Sequence, residues 1–105
     1  MTRYAAERAR LLLGCYRRAD AYDPETYVAA ITAVLARYPE DIIRDATHPA
    51  TGLPIRCDFL PSVAEVYREC EARMQPRRLA EATETRRAQQ LQEREDLEQR
   101  FGRKR

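Results

Sequence analysis

Pro61-Ser62-Val63-Ala64-Glu65-Val66-Tyr67-Arg68-Glu69-Cys70-Glu71-Ala72-Arg73-Met74-Gln75-Pro76 is the stretch that decides the fold class. A hydroxyl at Ser62 with a carboxylate three residues on at Glu65 is a capping box, in which each side chain bonds the other's backbone amide. From there Val63, Val66, Tyr67, Cys70 and Met74 return every three or four residues, the period of one face of a helix. Pro76 lacks an amide hydrogen and is expected to break or kink that helix.

Upstream the same pattern repeats. Pro39-Glu40-Asp41 opens a short helix whose Ile42, Ile43 and Ala46 face inward, and which stops by His48-Pro49. Asp23-Pro24-Glu25 starts a longer one. Asp23 caps orphan amides, Pro24 fits the first helical position and Glu25 complements the positive end. Its stripe is Tyr27, Val28, Ile31, Val34, Leu35 and Tyr38. Residues 3–18 form the first helix, with Tyr4, Ala5, Ala9, Leu12, Leu13, Cys15 and Tyr16 inward and Gly14 allowing another helix to come close. Residues 49–61 hold Pro49, Gly52, Pro54 and Pro61 and read as a loop, extended around Leu53-Pro54-Ile55.

Downstream of Pro76 the composition is still helix-forming, but the apolar residues are sparse: Leu79, Ala80, Ala82, Ala88, Leu91, Leu97 and Phe101. A heptad frame through Leu91 and Phe101 puts Glu84, Arg87, Arg94 and Glu98 at core positions, so a self-sufficient coiled coil is not expected. Glu84/Arg87 and Asp96/Arg100 are spaced as intrahelical charge pairs. The expected fold is all-α: a small four-helix N-terminal bundle over residues 1–75 and an extended, partly solvated C-terminal helix or tail over 76–105. That last segment is expected to project, to fray, or to order only on a partner. Gly102 and the basic end, Arg103-Lys104-Arg105, are expected to be disordered.

The 105 residues carry a net charge of +2, which conceals a split: residues 1–76 sum to −1 and residues 77–105 to +3. Eighteen of the 19 basic residues are Arg, whose planar fork suits carboxylates and phosphates. No apolar run approaches the ~18 residues of a membrane span, and the first residues lack the apolar segment of a secretory signal. A cytoplasmic protein is expected.

Chemistry-bearing constellations are missing from the pattern. His48 stands alone as a potential base, and the acids Asp23, Glu40 and Asp41 are explained by helix starts. Cys15, Cys57 and Cys70 have no C-x-x-C spacing and one His cannot complete a zinc site with them. Cys15 and Cys70 read as small buried hydrophobes, Cys57 as a loop thiol. Gly52 alone makes no phosphate loop, and the single lysine is Lys104. A non-enzymatic protein with no cofactor and no metal is expected. Of the six tyrosines, five lie on helix stripes and Tyr22 lies in a loop, open to surface contact.

The order of these pieces, with Tyr38-Pro39 and then Phe59-Leu60-Pro61-Ser62-Val63-Ala64-Glu65-Val66, resembles the phage replicative-helicase loader and inhibitor proteins over residues 10–75. Tyr38, Pro39, Phe59, Pro61, Ser62, Glu65 and Val66 match that family's pattern and look fold-defining. The resemblance implies a phage or prophage accessory that binds a hexameric replicative helicase and modulates its loading or activity in DNA replication, its C-terminal part making the contact. On that reading the partner-binding residues are Arg77, Arg78, Arg86, Arg87, Leu91, Arg94, Leu97 and Phe101. Two alternatives use the same segment: nucleic-acid binding through the basic C-terminal helix, and inhibition of another host protein such as a defence nuclease. A +3 balance with interleaved acids is a weak phosphate-neutralising surface. Self-association is left open.

Overall fold

A computed structural model of the chain describes residues 2–17 and 20–102. Arg103, Lys104 and Arg105 lie outside them. The described residues are all-α: α1 (Thr2–Gly14), α2 (Pro24–Leu35), α3 (Glu40–Thr47), α4 (Leu53–Arg56) and the long C-terminal α5 (Val63–Leu97), which ends in a π-helical turn, Glu98–Gly102. The chain divides into two units, Met1–Met74 and Gln75–Arg105.

In the first unit α1 packs on α2 and α3. It buries Ala5 and Ala9, small side chains that let the neighbouring backbones approach, and the larger Leu12. The helix stops at Gly14, four residues earlier than its stripe predicts. Cys15 and Tyr16 instead donate their amides three residues back, to Leu12 and Leu13 at 3.2 and 3.1 Å, which tightens the last turn and ends it. Cys15 is exposed as a result. Nothing approaches within 4 Å of where a Cβ on Gly14 would sit, so this glycine serves no close helix contact.

The start of α2 follows its signal. The Asp23 carboxylate accepts from the Thr26 amide at 3.3 Å and from the Thr26 hydroxyl at 2.8 Å. The helix buries Ile31 and Leu35 and then closes, with Arg37 and Tyr38 donating to Val34 and Leu35 at 3.1 and 3.0 Å. Pro39 is the extended residue before α3, and its carbonyl accepts from Ile43 at 3.0 Å. Ile42, Ile43, Ala46 and Thr47 are buried on α3. Among the described residues Thr47 is the one buried polar residue in this core, and its hydroxyl is satisfied twice: it donates to the Ile43 carbonyl at 2.7 Å and accepts from Arg8 Nε at 2.9 Å. Arg8 also donates to the Arg44 carbonyl at 3.1 Å, which places its positive charge on the negative end of α3.

The 49–61 segment is less of a loop than expected. Gly52 packs onto the end of α3, its amide donating to His48 at 2.8 Å, and Leu53–Arg56 coil into one helical turn with Leu53 buried. Pro54 sits in the first turn, where its missing amide costs nothing. Four residues are too short to show a periodicity, so the sequence hides this turn.

At the head of α5 the capping box is complete: the Glu65 amide donates to Ser62 Oγ at 3.1 Å and the Ser62 amide to Glu65 Oε1 at 3.0 Å. Val66 and Cys70 are fully buried and Met74 packs against them. Val63 and Tyr67, expected inward, are partly exposed, and Arg37 lies 5.7 Å from the Tyr67 ring centre. Glu69, almost buried, accepts from Arg73 Nε at 2.6 Å and pairs with Arg56. Arg73 also reaches the Thr51 carbonyl at 3.2 Å, tying α4 and its approach to α5. Of the two outcomes expected at Pro76, a break or a kink, the break does not occur: α5 runs through it. Proline is tolerated inside a helix when neighbouring turns hold the chain, at the loss of one backbone hydrogen bond.

Candidate partner-binding surface

Two tyrosines fasten the segment before α5, and a third fastens α5 itself. Tyr16 donates to the Cys57 carbonyl and Tyr27 to the Pro61 carbonyl, both at 2.7 Å, and Tyr38 donates to Glu71 Oε2 at 2.6 Å. Burial pushes the Tyr16 hydroxyl up to about 12, with the neighbouring Cys57 adding to the effect. Tyr27 and Tyr38 rise further by the same cause, aided for Tyr38 by its bond to the Glu71 carboxylate. These aromatics are bonded within the fold and are not a stacking platform. Tyr22 is fully exposed, as its loop position predicted.

The cysteines are free. Burial raises the Cys70 thiol to about 12 and also raises Cys57, which is half-buried against the core and not the open loop thiol expected. Neither is activated as a nucleophile. His48 caps the end of α3, its Nδ1 accepting from the Ala50 amide at 3.1 Å. Among the described residues no group of three or more His, Cys, Asp or Glu could hold a metal ion. No described helix is long and apolar enough to cross a membrane.

Two surfaces have the character of binding sites. On the first unit an open groove of about 670 Å³ runs between α1 and α2. Its lining includes the apolar Ala6, Leu13, Val28 and Ala29 and the charged Arg10 and Glu25. Sequence reasoning missed it because Leu13 and Val28 read as core stripe residues, whereas both are only half-buried.

The second surface is the outer part of α5, the segment singled out from the sequence. Among the described residues beyond Gln75 none is buried, and Leu79, Leu91 and Leu97 are 65%, 59% and 54% exposed. Arg86, Arg87 and Arg94 are exposed beside them. Arg87, Leu91 and Arg94 come together around one hollow with Gln90. Leu97 does not line this hollow; it stands about 120° round the helix from Leu91 and about 60° from Arg94, on the line of Leu79 and Arg86. Arg78 lies on the side opposite Arg87, and both Arg77 and Arg78 make contacts within the chain. Phe101 falls in the π-helical turn, and its side chain lies outside the described residues. The eight expected residues are therefore spread around the helix, with Arg87, Leu91 and Arg94 as the group that shares a face. Asp96 takes a hydrogen bond from Gln92 at 3.2 Å.

Of the positions that match the helicase-loader pattern, Tyr38, Pro61 and Val66 are buried and Ser62 and Glu65 form the cap, which are fold-building roles. Phe59 is different: it is 83% exposed on the loop after α4, and Ile55 within α4 is 64% exposed. The chain matches no family model, no curated protein and no solved structure.

Proposed function

We propose that the protein is a non-enzymatic accessory that acts by stoichiometric binding, and that the outer part of α5 is its docking element. The observation that carries this reading is the exposure of Leu79, Leu91 and Leu97 among arginines on a helix with no buried residue beyond Gln75. Apolar side chains spaced along an exposed helix are what a groove on a partner takes up, and flanking arginines supply charge-assisted bonds to its acidic rim. The resemblance of residues 10–75 to phage helicase loaders and inhibitors names a bacterial hexameric replicative helicase as the partner. Binding there would shift helicase assembly or its delivery to DNA, in the cytoplasm of the host cell.

The test is capture of a purified replicative helicase by the full chain and by a variant carrying Arg87→Ala, Leu91→Ala and Arg94→Ala. Loss of capture by the variant supports the reading, and equal capture removes α5 from the mechanism. The same preparations applied to immobilised DNA examine the nucleic-acid reading. Retention that falls steeply as salt rises is the signature of phosphate contacts.

A further inference from the structure

The outer part of α5 carries a pattern that points to a second copy of the same chain. Ala80, Glu84, Arg87, Leu91, Arg94 and Glu98 recur at alternating spacings of four and three, the seam of a coiled coil. Two hollows lie on that seam. One, of about 250 Å³, is lined by Arg87, Gln90, Leu91 and Arg94. The other, of about 510 Å³, is lined by Glu84, Thr85, Arg87, Ala88 and Leu91. In each, four residues stand at i, i+3, i+4 and i+7, which is the diamond into which a facing helix inserts a side chain. Leu91 belongs to both.

Charge decides the direction of pairing. In a parallel pair every seam residue meets its own copy. Glu84 would face Glu84, and Arg87, Arg94 and Glu98 would likewise face themselves, so four layers set like charges together. An antiparallel pair centred on Gln89 reverses this. Glu84 then faces Arg94 of the second copy, and the relation occurs twice by symmetry. Arg87 faces Leu91 of the second copy, lays its methylene stem on that side chain and keeps its guanidinium at the wet edge. Leu91 of the second copy enters the hollow of Glu84, Arg87, Ala88 and Leu91, which brings the two leucines into contact at the centre.

We propose that the outer part of α5 self-associates as this antiparallel pair. One leucine per chain at the centre, between layers of paired charges, makes it a weak and reversible dimer. Polar seam residues fix orientation and register while lowering affinity. The inference goes beyond the partner-binding role. It shares Arg87, Leu91 and Arg94 with that role, but it is measured on the protein alone, so either can fail without the other.

Sedimentation of the full chain from about 10 µM to about 1 mM is expected to show a monomer passing into a dimer. Glu84→Arg alone sets Arg against Arg94, and Arg94→Glu alone sets Glu against Glu84. Each is expected to weaken the dimer roughly tenfold or more. The double variant Glu84→Arg with Arg94→Glu restores opposite charges only in the antiparallel register, and is expected to recover the original association. Leu91→Gln is expected to weaken it without rescue by the charge swap. Glu84, Leu91 and Arg94 are all exposed, and far-UV ellipticity checks that each variant remains helical. A monomer at every concentration overturns the proposal, as does a dimer indifferent to the single reversals, or one that the double swap fails to restore.

Discussion

The hydroxyl of Tyr27, in the first turn of α2, donates to the carbonyl oxygen of Pro61, the residue just before the cap of α5, at 2.7 Å. Pro61 is fully buried and Tyr27 half-buried, so this bond holds the entry to α5 against α2 where water competes poorly. Tyr27→Phe keeps the ring and leaves the Pro61 carbonyl without its donor. A loss of about 1 kcal/mol is expected, or somewhat more if the carbonyl stays dry, read from the urea midpoint at unchanged slope.

Two glycines should answer opposite ways to the same substitution. A Cβ on Gly52 would lie 2.4 Å from the Ala46 carbonyl oxygen and 2.6 Å from that of Asp45, both backbone atoms that cannot swing aside. Gly52→Ala is expected to cost at least about 2 kcal/mol, because α4 must lift off the end of α3. Gly14 faces open space, and Gly14→Ala should stabilise α1 by up to about 1 kcal/mol. Thermal midpoints that move in the same direction for both would contradict this account.

The tyrosine anchors predict how the fold fails in alkali. Tyr16, Tyr27 and Tyr38 hold their protons in the folded state more tightly than in the unfolded chain, where the hydroxyl loses its proton near 10. Between that value and the folded one, the native protein binds more protons than the unfolded, so stability falls as pH rises. Their contribution is complete below about pH 10 and declines through about 12 and beyond. Urea midpoints measured from pH 8 to 11.5 should fall steadily above 10, and the fall should be shallower for Tyr16→Phe. A flat profile would show that these hydroxyls ionise as freely in the fold as outside it.

Pro76 lies inside α5, where a proline costs roughly 3 kcal/mol relative to alanine. Pro76→Ala restores one backbone bond and should raise both helix content and the protection of amides on either side of position 76. Hydrogen exchange reads this directly. Unchanged protection from residue 72 to residue 80 would mean that the proline imposes no weakness there.

Much of the fold was legible because helix starts have chemical signatures. Asp23-Pro24-Glu25 and Ser62-x-x-Glu65 each placed a cap that the structure forms with the expected bonds. Helix ends were harder. The apolar spacing of α1 continues through Cys15 and Tyr16, but the backbone tightens after Gly14, and Tyr16 is used instead to reach the Cys57 carbonyl. The turn at Leu53–Arg56 has no period to detect, and it exists because Gly52 fits where a Cβ cannot. For the candidate surface, composition pointed to a segment whose apolar residues the structure leaves exposed. Helical phase then separates residues that a list puts side by side: Arg87, Leu91 and Arg94 share one hollow, whereas Leu97 and Arg78 point elsewhere.

The buried cluster of Ala5, Leu12, Ile31, Leu35, Ile43, Val66, Cys70 and their neighbours is drawn wholly from the chain up to Cys70, with Met74 at its margin. Nothing interior depends on which side chains follow. Recharging or re-patterning the last thirty residues therefore leaves every side chain of that cluster in place, so that the segment's composition is free of the constraint that close packing sets upstream.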